Sequence, residues 1–137
     1  MTNMKNSISV CIIDSVDPDF FKPDETEVES WVKKCLLDDY QSVSINLALV
    51  STDEMARLNI DFRGKTGPTN VLSFPEENDD QLVGEIVICS KVAEEEAIYK
   101  SVKEYFIFLF VHGMLHLQGY DHINDNEAEI MEELEQK

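Results

Sequence analysis

Every histidine of the chain, His112, His116 and His122, falls inside the stretch VHGMLHLQGYDH (111–122), at the end of a strongly apolar run. Imidazole is a costly side chain to place there without a partner. His112 and His116 are four positions apart, so on a helix they stand one above the other, roughly 5–6 Å apart at Cβ. From that spacing two neutral imidazoles can converge on one metal ion, at about 2.0–2.1 Å each. His122 could lie up to about 20 Å further along an extended chain, so the backbone must turn back to bring the third ring in. Gly119 stands where that reversal would be made.

The string H-G-M-L-H-L-Q-G-Y-D-H matches the metzincin pattern H-E-x-x-H-x-x-G-x-x-H at its three histidines and its internal glycine. Gly113 takes the place of the glutamate, which in those peptidases is the general base. The ligand spacing is present and the peptidase base is not. Three protein ligands leave a fourth position for water, which favours a catalytic zinc over a closed structural site. Nickel, copper or iron could also occupy such a site. Without a metal, His112 and His116 would be hydrogen-bonded core histidines and His122 a loop residue. Asp121 could orient a ligand as a carboxylate behind it, or cap the segment that follows.

The elements that must position these groups are legible as patterns. SISVCII (7–13) alternates and is rich in β-branched residues, a strand with Ile8, Val10 and Ile12 on one face. Cys11 and Ile13 make the other face apolar, which predicts helices over both sides. Pro23 and Asp24 open a helix carrying Val28, Trp31, Val32, Cys35 and Leu36. VSINLALV (43–50) is a second strand, and Ser51 with Glu54 predicts a capping box for a short helix to about Asn59. DFRGKTGPTN (61–70) reads as a loop, followed by strands in VLSF and LVGEIVIC. Ser90 is expected to cap a helix to about Lys100. Ser101 and Glu104 form the capping box of the histidine helix, which Gly119 can end in a left-handed conformation. Ile130, Met131 and Leu134 predict a last amphipathic helix from Asp125.

The totals fit one domain, residues 1–137, with 43% hydrophobic and 28% charged residues. The apolar run 105–117 is too short for a membrane span, and MTNMKNSISV has no signal-peptide pattern. Cys11, Cys35 and Cys89 are odd in number, lack CxxC spacing and sit among apolar neighbours, so reduced, buried thiols in a cytoplasmic protein are expected. A net charge of −17 argues against a protein that coats nucleic acid. It leaves room for an enzyme that grips a few nucleotides in a local basic pocket. Arg63 and Lys65 are the only cations between Ile60 and Ser90. An arginine in such a loop is most often a solvated surface charge, yet its fork also suits phosphate oxygens.

HGMLHLQGYDH together with FRGKTGPTNVLSFP resembles the YbeY family of bacterial metal-dependent endoribonucleases, which act in ribosomal RNA maturation. The family's signatures look like H-G-x-L-H-L-x-G-Y-D-H and R-x-K-[DN]-x-P-T-[DN]-V-L-S-F-P. The first is matched at every fixed position. The second is matched at Arg63, Lys65 and the run from Pro68 to Pro75, with Thr66 where an acid or amide is usual. VGEIVIC resembles the family's L-G-D-I-V-I strand, with Glu85 for the aspartate. The resemblance implies an α/β (α+β) single domain, one mixed, roughly four-stranded sheet with about five helices and a metzincin-like tri-histidine helix. It implies one zinc held by His112, His116 and His122, and a catalytically important Arg63. The implied substrate is single-stranded ribosomal RNA, with processing of the small-subunit rRNA 3′ end and ribosome quality control as its setting. Ribosomal proteins or small-subunit assembly factors are expected partners, and neither DNA nor membrane is expected. Two other readings stay open: a zinc hydrolase of peptidase type, and a non-catalytic ribosome-associated protein with its acidic C-terminal segment as the contact.

Overall fold

Alternating apolar residues form two strands that lie side by side, β1 (Ser7–Asp14) and β2 (Ser42–Val50). They belong to a computed structural model that describes residues 7–16, 19–76, 80–98 and 101–119. With β3 (Val71–Glu76) and β4 (Gln81–Cys89) they make one mixed sheet in the order β1-β2-β4-β3. β1 and β4 each run parallel to β2, and β3 runs antiparallel to β4. The register sets Phe74 beside Glu85 and Pro75 beside Gly84. β3 is an edge strand, and Pro75 lies near its end.

Four helices are described: α1 (Glu25–Cys35), α2 (Thr52–Arg63), α3 (Ser90–Glu96) and α4 (Val102–Leu117). Reciprocal capping boxes start α1, through Asp24 and Glu27, and α4, through Ser101 and Glu104. α4 is apolar nearly all round, as a helix surrounded by protein must be. It lies with α1 on one face of the sheet, over Ile45, Leu47, Ile86 and Ile88. Trp31 of α1 meets Phe110 of α4 at 5.6 Å between ring centroids. Phe106 and Phe110 are both essentially inaccessible, and burying each contributes about 1.5–3 kcal/mol. Gly84 lets the end of α4 sit directly on β4, since a Cβ there would stand 2.7 Å from a methyl of Leu117. Together these elements make one α+β domain.

The structure departs from the sequence reading at four places. β1 is the other edge strand, and none of the described helices covers its second face: Cys11 and Ile13 are exposed. Among the described residues the second face is closed toward β4, where Met55 of α2 covers Ala48, Val50, Val87 and Cys89. Of the three thiols, which are all free, Cys35 and Cys89 are therefore buried and Cys11 is not. α2 continues past Asn59 to Arg63, so Asp61, Phe62 and Arg63 are helical and not part of a loop. Ser90 is the first residue of α3 and does not cap it; Cys89 holds the cap position without a side-chain bond, and the helix stops at Glu96. The expected helix from Asp125 lies outside the described residues.

Candidate active site

Two walls face each other across one cavity of about 580 Å³. The first wall is α4. His112 and His116 project from successive turns, half-buried, with ring centroids 4.4 Å apart and planes at 53°. Val111, Met114 and Leu115 flank them in sequence and are at most 2% exposed, so the helix cannot rotate without emptying the core. Gly113 points at the sheet: a Cβ there would stand 3.0 Å from Cγ2 of Ile86. Where the metzincin pattern has its base, this chain has a helix pressed against β4. Just past the helix, the Gln118 amide donates to the Cys35 carbonyl at 2.8 Å, and its Oε1 accepts the Leu37 N–H at 2.9 Å. These bonds tie the histidine end of α4 to the end of α1. Gly119 follows with φ +98°, the left-handed turn expected there, its N–H donating to the His116 carbonyl.

The second wall is the end of α2 and the start of β3. Arg63 is the last helical residue, and Gly64 ends the helix at φ +69°, where a residue with a Cβ is strained. Asn59 is buried on the same side of α2 as Met55, and its amide donates to the Gly67 carbonyl at 2.8 Å. That bond folds the glycine-bearing loop back onto its own helix. β3 is anchored at Asn70, whose carbonyl accepts the Cys89 N–H at 3.0 Å. The Asn70 side chain donates to Glu96 at 3.1 Å, and the Tyr105 hydroxyl donates to the same oxygen at 2.7 Å. Burial first, and then this bond to a carboxylate, push the Tyr105 phenol up to about 12.

Arg63, Asn70 and Ser73 line the cavity from the second wall, and His112, Gly113 and His116 from the first. The fold thus brings Arg63 and two of the three histidines to one place. Lys65 is exposed and does not line the cavity. His122 and Asp121 lie outside the described residues. The ring spacing and the donor chemistry of His112 and His116 fit two nitrogens on one transition-metal ion. The guanidinium opposite them suits an anion, phosphate above all. Sequence reasoning passed over Asn59, Glu96, Tyr105 and Gln118, which hold the walls in place. Only Asn59 left a signal, as a polar residue four positions after Met55 on the apolar side of α2.

A family model described as Endoribonuclease YbeY matches residues 16–137. A protein of Methylococcus capsulatus named Endoribonuclease YbeY is 47% identical over 119 residues, covering 82% of this chain and 78% of that one. The fold is similar to the solution structure of TM1509 from Thermotoga maritima, with a TM-score of 0.57 and 30% identity, covering 92% of this chain and 85% of the other.

Proposed function

Because the chain belongs to the YbeY endoribonuclease family, we propose that it cleaves single-stranded RNA in a metal-dependent reaction. The observation that carries this reading is the convergence of Arg63, from the end of α2, with His112 and His116 of α4 on one cavity. A zinc ion held by His112, His116 and His122 would supply a Lewis acid for a phosphoryl oxygen and lower the pKa of its water to about 7. Arg63 binds the non-bridging oxygens of the scissile phosphate and stabilises the charge that builds up on them in the transition state. Ile86 fills the space that a side chain at 113 would need, so no carboxylate at that position takes up a proton. That speaks against the peptidase alternative, which depends on such a base.

The net charge of −17 makes binding local. A long rigid duplex would bring many phosphates against acidic surface, whereas a single strand can bend a few nucleotides into the cavity. Ribosomal RNA is the proposed substrate, and maturation of the small-subunit 3′ end with ribosome quality control in the cytoplasm is the proposed setting. Ribosomal proteins or assembly factors are the proposed partners.

The test begins with untagged protein and its metal content by elemental analysis, beside His116→Ala. One zinc per chain in the wild type and none in the variant is expected. Arg63→Ala should keep the metal and lose cleavage of a single-stranded RNA. Undiminished cleavage by Arg63→Ala, or no metal uptake by the wild type supplied with zinc, would overturn the reading.

A further inference from the structure

A second cavity, of about 500 Å³, opens on the other side of the second wall. Phe62 and Phe74 line both cavities, whereas Arg63 lines only the first. Helix geometry explains the division, because consecutive residues in the last turn of α2 project about 100° apart. Phe62 is 63% exposed, an unfavourable place for a large aromatic ring. It contacts Phe74 edge to face, with centroids 4.9 Å apart and planes at 64°. With 63% of its surface exposed, Phe62 keeps ring surface that Phe74 does not cover. Beyond the rings the lining of the second cavity is mainly apolar, with Ala48, Val50 and Val87 among its residues, and it includes Ser15, Glu54 and Glu85. Glu54 is engaged by Arg57 at 2.6 Å, and the half-buried Glu85 lines the same space. Such a cavity repels a phosphate. It suits a flat, π-faced group whose edge carries N–H donors.

We propose that Phe62, backed by Phe74, is the stacking platform for the nucleobase that flanks the scissile phosphate, with the amino edge of that base turned toward Glu85. The assignment rests on the ribonuclease reading and deepens it. The phosphate lies at Arg63, and the neighbouring base passes over the aromatic pair into the second cavity. Stacking tolerates any base, while a carboxylate acceptor favours those with an amino group, adenine, cytosine and guanine, over uracil.

The test uses two single-stranded RNAs: a cleavable one, and a 2′-O-methylated one carrying 2-aminopurine, whose fluorescence falls when it stacks. The wild type should quench the probe. Phe62→Ala should lose the quenching and raise KM by about 5- to 150-fold with little change in kcat. Phe62→Tyr should retain both, whereas Phe62→Leu, which keeps apolar contact with Phe74 but offers no ring, should behave as Phe62→Ala. Glu85→Gln should narrow the preference for adenine, cytosine and guanine over uracil. Wild-type quenching and KM in Phe62→Ala would overturn the platform and leave the ribonuclease reading standing. A wild type that neither binds nor cleaves either RNA would overturn both.

Discussion

The wall that carries the histidines and the wall that carries Arg63 are held by different means. α4 is gripped by the core along its length, with Gly113 against Ile86 and Gln118 bonded to the end of α1. The Arg63 wall is the exposed end of a helix and a glycine-bearing loop, held at its base by Asn59 and Asn70. The difference suits the two roles proposed for these walls. Metal ligands must be placed within fractions of an ångström, and packing supplies that. A guanidinium that follows a phosphate on a flexible strand needs reach more than rigidity.

The sharpest test replaces Gly113 by glutamate, restoring the peptidase pattern in sequence. The side chain would meet Ile86 and drive a carboxylate into the core, which is expected to cost about 4 kcal/mol or more and to leave little folded protein. Circular dichroism and urea denaturation would show it; a folded Gly113→Glu protein of wild-type stability would mean that α4 is not the rigid wall described. On the other wall, Arg63→Ala should lower kcat/KM roughly 10²- to 10³-fold. Its melting temperature should stay unchanged, because Arg63 is exposed.

A matched pair of smaller changes compares the walls directly. Gln118→Ala should cost about 1–2 kcal/mol and weaken zinc binding, measured by competition with a chelator. Asn59→Ala should cost a similar amount, about 1–2 kcal/mol, and lower the cleavage rate while zinc affinity holds. If both variants weakened zinc equally, the two walls would be one mechanical unit. The effect at Tyr105 is confined to alkaline pH. Its phenol titrates near 12 when folded and near 10 in an unfolded chain, so its contribution is complete below about pH 10 and is lost as pH rises through about 12. Denaturation curves across that window should show a slope that Tyr105→Phe lacks.

The elements around the histidines were legible because local rules act on them. The capping box at Ser101 and Glu104, the alternation in β2 and the turn at Gly119 depend on neighbours within a few positions, and all lie where the sequence puts them. The box expected at Ser51 is only half formed: its side chain accepts from the Glu54 N–H without the reciprocal bond, while a full box stands at Asp24 and Glu27, where none was read. The end of α2 was misread because GKTGP signals a loop, while what prolongs the helix to Arg63 includes a bond from buried Asn59 to Gly67 that no local pattern encodes. Exposure of Cys11 and Ile13 depends on strand order, since an edge strand reaches beyond the helix that covers the centre. Arg63, His112 and His116 could be named from their motifs. That these three share a cavity, and that Phe62 stands at its border with a second one, required the tertiary arrangement.

The proline in β3 bears on how the molecule behaves in crowded solution. A free sheet edge offers a row of backbone donors and acceptors that a second chain can extend, the usual first step of strand-to-strand aggregation. Pro75 breaks that row beside the cavity, since a proline in an edge strand turns its donorless nitrogen outward. The edge that borders the cleft therefore resists self-templating, and solutions of Pro75→Thr should scatter more light on storage than wild type at equal concentration.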